Sequence, residues 1–199
     1  MEMLQEKISQ HFAILMFGLL CIPAAHAEDT FYLGPKVGIM AQDVACPGGG
    51  NSCTTQAIFG GITAGYSLLG EHGQFPVDMG SLTLALEGEI TRPITDLSLN
   101  YYGTQQTWKT NTQALYAVFR YNFNDRYFAM VRAGNVNYKT TGEITQSGQP
   151  TQTFKTSTSD TGYGLSGGKN FKSGTLRLDL SNGSKSKVTS IAIGYLFRF

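Results

Sequence analysis

The closing stretch IAIGYLFRF, residues 191–199, decides the fold of this chain of 199 residues. Large apolar side chains occupy every second position from Ile191 to Phe199, and the positions between them include Gly194 and Arg198. A period of two is that of a β-strand, whose successive side chains point to opposite sides. The stretch therefore predicts a strand with one face against an apolar phase.

Seven earlier segments repeat this alternation, so the chain is predicted to form eight strands. In the fifth segment the alternation slips at Val136 and Tyr138, which predicts a β-bulge after Gly134. Beyond the N-terminal residues no apolar run is long enough for a membrane-spanning helix, which excludes a helical membrane protein. The seven segments lie at residues 31–40, 58–68, 82–90, 115–123, 127–134, 161–168 and 175–181.

Long polar connections alternate with shorter turns along the chain. This asymmetry between the two ends of the strands is typical of transmembrane barrels. Asn182-Gly183 is a strong hairpin signal and predicts a short fourth loop on the side of the long connections. The predicted long loops are residues 43–55, 93–112 and 139–159, and the turns of the other side are residues 70–80, Asn124-Asp125 and residues 172–174.

Side-chain volume decides which face of the closed sheet points inward. One face of the segments is built of Leu, Ile, Phe and Tyr, while the other is rich in Gly, Ser and Ala. The interior of an eight-stranded barrel is only just wide enough for side chains, and a soluble exterior is rarely so poor in long charged residues. We therefore predict an all-β fold, an eight-stranded antiparallel up-and-down transmembrane β-barrel. The alternative is a soluble barrel with its faces reversed.

The inward face also carries charges of both signs. Because buried charges must be paired or hydrated, we expect a network of salt bridges that fills the lumen rather than an open channel. Arg198 has the same phase but falls near the rim, where water is expected. The candidates for this network are Lys36, Glu87, Glu89, Arg120, Arg132, Arg177 and Asp179.

The N-terminal residues predict export. The apolar run at residues 12–22 is too short for a stop-transfer helix, and Ala25-His26-Ala27 has the small-x-small pattern of a signal peptidase site. We expect residues 1–27 to be a cleaved signal peptide and residues 28–199 to be one barrel domain. A buried N-terminal helix is the alternative interpretation.

Charge and cysteine content narrow the possible partners. The formal net charge of +1 gives no electrostatic support for a nucleic-acid partner. Without the signal peptide two cysteines remain, Cys46 and Cys53, and an even count in an exported chain predicts a disulfide across the Gly-rich segment between them. A metal site is the rival interpretation, but no His or further Cys lies close in sequence. We predict no metal and no cofactor.

The closing stretch, with its terminal Phe199, resembles the C-terminal signal of outer-membrane barrels. Residues 31–38 and 127–134 resemble the small barrels of the OmpA, OmpX and opacity-protein class. The resemblance implies a place in the bacterial outer membrane, with both termini in the periplasm and four loops at the cell surface. It further implies delivery by periplasmic chaperones and recognition of Tyr195, Phe197 and Phe199 by the barrel assembly machinery.

Two short motifs match sequences found in nucleotide-binding sites and hydrolases, but the neighbouring sequence does not support either function. GYGLSG, residues 162–167, matches a dinucleotide-binding motif, yet no helical pattern follows it to hold a pyrophosphate. GLSGG, residues 164–168, matches a nucleophile elbow, but His72, the one histidine of the predicted mature chain, falls in a turn away from Ser166. We predict no enzymatic activity. A lipid-modifying outer-membrane enzyme is the less favoured alternative.

The sequence thus predicts an outer-membrane structural or surface-interaction protein whose barrel displays four extracellular loops, with adhesion to a host or cell-surface ligand as one such role. The main alternative is a narrow pore or small-molecule conduit, which requires the inner ion pairs to separate. Basic residues near the outer rim suit lipopolysaccharide phosphates, although solvated loop charges explain them equally well. They are Arg92, Lys109, Lys139, Lys155, Lys185 and Lys187.

Overall fold

The computed structural model describes residues 31–45, 52–68, 75–77, 80–101 and 104–199, and the regular elements in this part of the chain are β-strands. The described residues contain no helix that is long and apolar enough to span a membrane. The predicted signal peptide lies outside them. The strands are β1 (Phe31–Ala45), β2 (Ser52–Ser67), β3 (Phe75–Val77), β4 (Gly80–Pro93), β5 (Leu97–Tyr101), β6 (Thr104–Asn122), β7 (Tyr127–Gln146), β8 (Gln152–Phe171), β9 (Gly174–Gly183) and β10 (Val188–Arg198).

Eight of these strands close into one antiparallel barrel. β1 pairs with β2 on one side and with β10 on the other, and the pairing of β4 with β6 completes the ring. The two remaining strands are short: β3 pairs with β4, and β5 pairs with β6. The predicted eight-stranded antiparallel barrel is confirmed.

The two rims of the barrel differ. At one rim, which we call the terminal rim, the backbones of Phe31 and Phe199 hydrogen-bond to each other. The predicted tight turn after β6 lies here, where Asn124 Oδ1 accepts the N–H groups of Arg126 and Tyr127 at 2.8 and 2.9 Å. A second predicted turn, at residues 172–173, joins β8 to β9 at the same rim. The opposite end is the distal rim.

Much of the sequence predicted as long loops at the distal rim is strand. Residues 93–112 include β5 and the start of β6, and residues 139–159 include the end of β7 and the start of β8, which pair as far as Ile144 and Gln152. A polar composition alone does not distinguish these strands from loops. Threonine is β-branched and favours a pleated strand even where both of its neighbours are polar.

The predicted β-bulge after Gly134 is wrong. The pairing of β6 with β7 runs unbroken through Tyr116 opposite Gly134 and Ala114 opposite Val136. Val136 and Tyr138 are buried on the inward face, while Asn137 between them points outward. The strand keeps its two-residue alternation. Just beyond Gly134 the inward side chains are apolar and the outward ones are polar, the reverse of the arrangement in the apolar band.

The predicted Asn182-Gly183 turn is displaced along the chain. β9 continues through Gly183, and the turn comprises residues 184–186, followed by Lys187 with a φ of 50°. Asp160 on β8 accepts the backbone N–H groups of Lys185 and Ser186, which fixes the turn two residues later.

The outward face of the barrel carries a band of large apolar side chains, which we call the apolar band. Leu178 and Ile193 are 53% and 48% exposed, whereas Glu87 is 0% exposed, so the predicted orientation of the two faces is confirmed. Members of the band on other strands are Val37, Ile62, Leu86, Ile90, Leu115, Phe119, Val131, Leu165, Leu180 and Ile191.

Beyond this band, toward the distal rim, lies a polar sheet that we call the distal sheet. It consists of β5 and residues 104–113, 135–146 and 152–161 of β6, β7 and β8. Its inward side packs on an apolar cluster, the distal cluster, in which Leu97 and Trp108 are buried. The cluster comprises Met40, Ala57, Phe59, Leu97, Trp108 and Ala192.

Candidate functional site

The lumen holds a cluster of buried charged side chains. Six of the seven charges predicted for its interior lie together, and we call them the central ring. Their side chains are at most 8% exposed. They project from β1, β4, β7 and β9, where the two-residue period directs them inward. The members are Lys36, Glu87, Glu89, Arg132, Arg177 and Asp179.

Each cation of the central ring contacts two carboxylates. Lys36 Nζ lies 2.8 Å from Glu89 Oε2 and 3.4 Å from Asp179 Oδ2. Arg132 Nη1 lies 3.0 Å from Glu89 Oε2 and 3.7 Å from Glu87 Oε2. The guanidinium of Arg132 also donates to Ser181 Oγ.

Arg177 joins the two ends of this chain of contacts. Its Nη1 lies 2.5 Å from Glu87 Oε1, and its Nε lies 2.8 Å from Asp179 Oδ1 as an ion pair outside hydrogen-bond geometry. Tyr32 Oη donates to Glu87 Oε1 at 2.6 Å. Positive and negative groups therefore alternate around a closed ring of three cations and three carboxylates, which is neutral as a whole.

Small residues on neighbouring strands make room for these side chains. A Cβ on Gly164 would lie 3.0 Å from Arg132 Nε and 2.5 Å from the carbonyl oxygen of Leu180. A Cβ on Gly65 would lie 2.1 Å from Cζ of Tyr32. Of the glycines in the motif that resembles a nucleotide-binding site, Gly162 and Gly164 are thus required by packing inside the barrel, whereas a Cβ on Gly167 would make only an ordinary contact, 3.5 Å from the carbonyl oxygen of Phe128.

The two chemical motifs lie wholly within a strand. Residues 162–168 belong to β8, which continues to Phe171 and is followed by a turn and by β9. Ser166 is buried on the inward face of this strand. The histidines of the chain, His72 among them, lie outside the described residues.

Arg120 is not part of the central ring. Its Nε donates to Asn122 Oδ1 at 2.9 Å, its Nη2 donates to Asn170 Oδ1 at 2.6 Å, and its Cζ lies 3.9 Å from the ring centroid of Phe128. Arg198 donates to the same Asn170 oxygen and to Thr175 Oγ1. These two arginines form a separate cluster near the terminal rim.

Between the central ring and the distal cluster, hydroxyl and amide groups of the lumen lie among apolar side chains such as Val136 and Val188. Thr91 and Thr112 share a hydrogen bond of 2.5 Å, and Trp108 Nε1 donates to Gln42 Oε1 at 3.1 Å. A cavity of about 30 Å³ lies here, beside Glu89 and Thr112. It has room for only one or two water molecules.

Trp108 and Tyr138 are of the residue types that form aromatic girdles at membrane interfaces, but both are buried inside the barrel. They lie in the distal sheet, where the exterior is polar and the interior is the apolar side.

The predicted disulfide concerns one described and one undescribed residue. Cys53 lies near the start of β2, opposite Val44 of β1, and Cys46 lies outside the described residues. The pairing of the two stays a prediction. Within the described ranges, no group of three or more His, Cys, Asp or Glu side chains is placed to hold a metal ion.

The residues of the predicted assembly signal lie at the terminal rim. Phe197 and Phe199 are exposed on the outward face, and Phe199 lies 6.1 Å from Phe31 between ring centroids. Tyr195 stands edge-on to Phe197 at 5.0 Å and shares a hydrogen bond with Ser173.

Asp160 was not identified by the sequence analysis. It is buried in the distal sheet, where its Oδ2 accepts the N–H groups of Lys185 and Ser186 at 2.7 Å each, and its Oδ1 accepts that of Thr161 at 2.7 Å. Burial by itself raises the pKa of this carboxyl, but the hydrogen bonds from Ser186 and Lys185 outweigh it, so the pKa lies below the ordinary value. The charged carboxylate therefore holds the turn after β9.

Comparison with known proteins agrees with this architecture. A family model described as "Outer membrane protein beta-barrel domain" matches residues 12–195. None of the curated proteins compared with the sequence matches it. At the identities of the solved structures below, the likeness concerns the fold.

Three solved structures resemble the chain along nearly their whole length. The N-terminal β-barrel domain of Pseudomonas aeruginosa OprF is 12% identical with a TM-score of 0.50, covering 85% of this chain and 99% of that one. The attachment invasion locus protein Ail of Yersinia pestis is 12% identical with a TM-score of 0.48, covering 85% and 99%. Neisserial surface protein A is 14% identical with a TM-score of 0.48, covering 85% and 97%.

Proposed function

We propose that this chain, which belongs to the outer membrane protein beta-barrel domain family, is a surface-interaction protein of the bacterial outer membrane rather than a channel. The observation that supports this is the distal sheet, in which paired strands continue beyond the apolar band with a polar exterior and an apolar core. A rigid sheet of this kind suits the display of loops to a partner. In this proposal residues 1–27 are removed as a signal peptide, the terminal rim faces the periplasm and the distal rim faces the cell exterior.

The tip of the distal sheet tests the interaction role. Replacing residues 143–153 by Asn-Gly would join β7 to β8 just beyond Gly142 and Phe154, which pair with each other. We expect bacteria with the shortened protein to lose binding to host cells or surfaces that the wild type binds. Trp108 is kept because it is buried in the distal cluster.

A folding control accompanies this measurement. Closed barrels resist detergent until they are boiled, so both proteins should shift in gel mobility on heating. A shortened barrel that shifts normally and binds as well as the wild type would contradict a role for the distal sheet in interaction.

The alternative function is a narrow pore. The central ring favours a closed lumen, because its ion pairs link β1, β4, β7 and β9 across the interior. We expect planar bilayers with the purified protein to show no stable conductance steps. Large and stable steps would favour the pore and contradict the closed ring.

Lipopolysaccharide is the proposed lipid partner. Lys109 and Lys155 flank Thr141 on the outward side of the distal sheet, and Lys139 lies in the adjacent row. Ammonium groups in this position, outside the apolar band, suit the phosphates of lipopolysaccharide. Replacing Lys139 and Lys155 by Gln should weaken co-purification of lipopolysaccharide, whereas Lys172→Gln at the opposite rim should leave it unchanged.

Assembly is proposed to depend on the last strand. Phe197 and Phe199 are outward and accessible before the barrel closes against lipid, which suits recognition by periplasmic chaperones and the barrel assembly machinery. Phe199→Ala should lower the yield of folded barrel in the outer membrane but not the stability of protein refolded in detergent. No catalytic role is proposed, because Ser166 is enclosed in the barrel wall.

A further inference from the structure

The charges of the lumen are balanced at mid-height and unbalanced near the terminal rim. The central ring pairs three cations with three carboxylates. Arg120 and Arg198 lie closer to the terminal rim, and neither forms an ion pair with a carboxylate of the described chain. This cluster therefore carries two positive charges on neutral partners.

A single amide oxygen receives an excess of donors in this cluster. Asn170 Oδ1 accepts from Arg120 Nη2 at 2.6 Å, from Thr175 Oγ1 at 3.1 Å and from Arg198 Nη2. An amide oxygen offers two lone pairs, so three donors exceed its capacity. Because both Nη2 nitrogens contact the same atom, these nitrogens lie within about 5 Å of each other, and the two like charges repel.

The two guanidinium groups also keep donors to spare. Arg120 uses Nε and Nη2, and Arg198 uses Nη2 alone, of the five N–H groups that each possesses. Phe128 stacks on one face of Arg120 at 3.9 Å and holds the plane of its guanidinium in place. Both side chains are partly buried near the terminal rim, and no nitrogen of either is fully buried without a partner.

We infer that Arg120 and Arg198 form a binding site for an oxyanion, a phosphate or carboxylate group, that enters the lumen from the terminal rim. Two guanidinium groups held close together match the paired oxygens of such groups, and charge-assisted hydrogen bonds to them are the strong ones. The anion would take up the donors that Asn170 leaves unmatched and would cancel the repulsion between the arginines. This inference concerns the interior of the barrel and does not rest on the role of the distal sheet.

Inorganic phosphate is the probe for the experiment, with the barrel in micelles of a neutral detergent at constant ionic strength. The measured signals are the NMR resonances of the Asn170 side-chain amide and the Nε–H groups of the two arginines. We expect these resonances to shift saturably with phosphate. The double variant Arg120→Gln/Arg198→Gln should bind at least tenfold more weakly, and Arg126→Gln, in the exposed turn after β6, should bind as the wild type does.

Asn170→Asp keeps both arginines and tests the charge argument directly. A carboxylate at this position would pair with both guanidinium groups, so phosphate binding should be lost while the melting temperature stays the same or rises. A variant that still binds phosphate like the wild type would overturn the inference. So would a wild-type response that is not saturable, or one that Arg126→Gln reduces as much as the double variant does.

The same resonances distinguish a soluble anion from a lipid headgroup. In nanodiscs of zwitterionic lipid, added phosphate should reproduce the shifts seen in detergent. If instead the group is that of an anionic lipid, phosphatidylglycerol in the nanodisc should shift the resonances without phosphate and should weaken phosphate binding. Both results support an oxyanion site, and the absence of both responses contradicts it.

Discussion

The apolar band and the distal sheet share β6, β7 and β8 but differ in what their interiors hold. In the band, Leu178 and Ile193 face outward and the central ring of charges lies inside. In the distal sheet, lysine, threonine and asparagine face outward, and Leu97 and Trp108 are buried inside. β6, β7 and β8 pass from one arrangement to the other without losing register.

The difference shows that the surroundings, and not the strand, decide which face is apolar. Where hydrocarbon surrounds the barrel, large apolar side chains face outward and a self-contained polar interior is tolerated. Where water surrounds it, the usual preference returns and the apolar side chains move to the core. The exchange occurs on β7 between Ala133 and Val136, the point at which the sequence suggested a bulge.

The largest expected effect comes from breaking the polar interior. Glu87→Gln removes a charge that contacts Arg132 and Arg177 and accepts from Tyr32. Arg132 keeps Glu89 and Arg177 keeps Asp179, but the ring is left with one uncompensated buried positive charge, which costs about 3–5 kcal/mol. The free energy of unfolding in detergent or lipid vesicles, from urea titration, should fall by this amount. Glu143→Gln, on the exposed face of the distal sheet, is the control and should change it by less than about 0.5 kcal/mol.

The apolar interior of the distal sheet predicts a comparable but local loss. Leu97 is 0% exposed, and replacing a buried leucine by alanine costs about 2–5 kcal/mol. Leu97→Ala should loosen the β5–β6 hairpin while the membrane-embedded wall stays closed. Faster protease cleavage in the hairpin and a red shift of Trp108 fluorescence would report this. Ser98→Ala, at the exposed neighbouring position, should alter neither signal.

A charge on the outward face should separate the two environments. Leu178→Arg places a guanidinium in the middle of the apolar band, where the cost is about 2–4 kcal/mol. Gln105→Arg places the same group on the outward face of the distal sheet, between the uncharged Asn100 and Thr145, where it meets water and should cost close to nothing. Refolding yields and free energies of unfolding in vesicles provide the measurement. Equal losses at both positions would contradict the boundary drawn between the band and the sheet.

The sequence was sufficient for the barrel because its pattern is local. Alternation with period two, and the contrast between Leu178 or Ile193 on one face and Gly164 or Glu87 on the other, require no knowledge of which strands meet. The central charges could be selected in the same way, since parity alone directs them inward.

The sequence was insufficient wherever the answer depends on register or on height in the membrane. Arg120 points inward like Arg132. Its register places it opposite Met130, nearer the terminal rim, where it meets Asn170 instead of a carboxylate. Trp108 and Tyr138 are residue types common at membrane interfaces, but they lie beyond the apolar band and are buried inside the barrel. Asp160 had no signal at all, because its partners are backbone N–H groups of a turn 25 residues away.

The smallest expected effect concerns that turn. The pKa of Asp160 is lowered in the folded protein, so its stabilisation is fully present above its unfolded pKa of about 3.9 and is lost as the pH falls through the lower folded value. NMR shifts of the Lys185 and Ser186 amides should therefore titrate below pH 4, and Asp160→Asn should abolish this titration and cost about 1–2 kcal/mol of local stability at neutral pH. Asp96→Asn, which removes the exposed partner of Lys109, should preserve the titration. Because the turn lies in water beyond the apolar band, the effect should be the same in micelles and in lipid vesicles, and a dependence on the lipid would place the turn within the membrane.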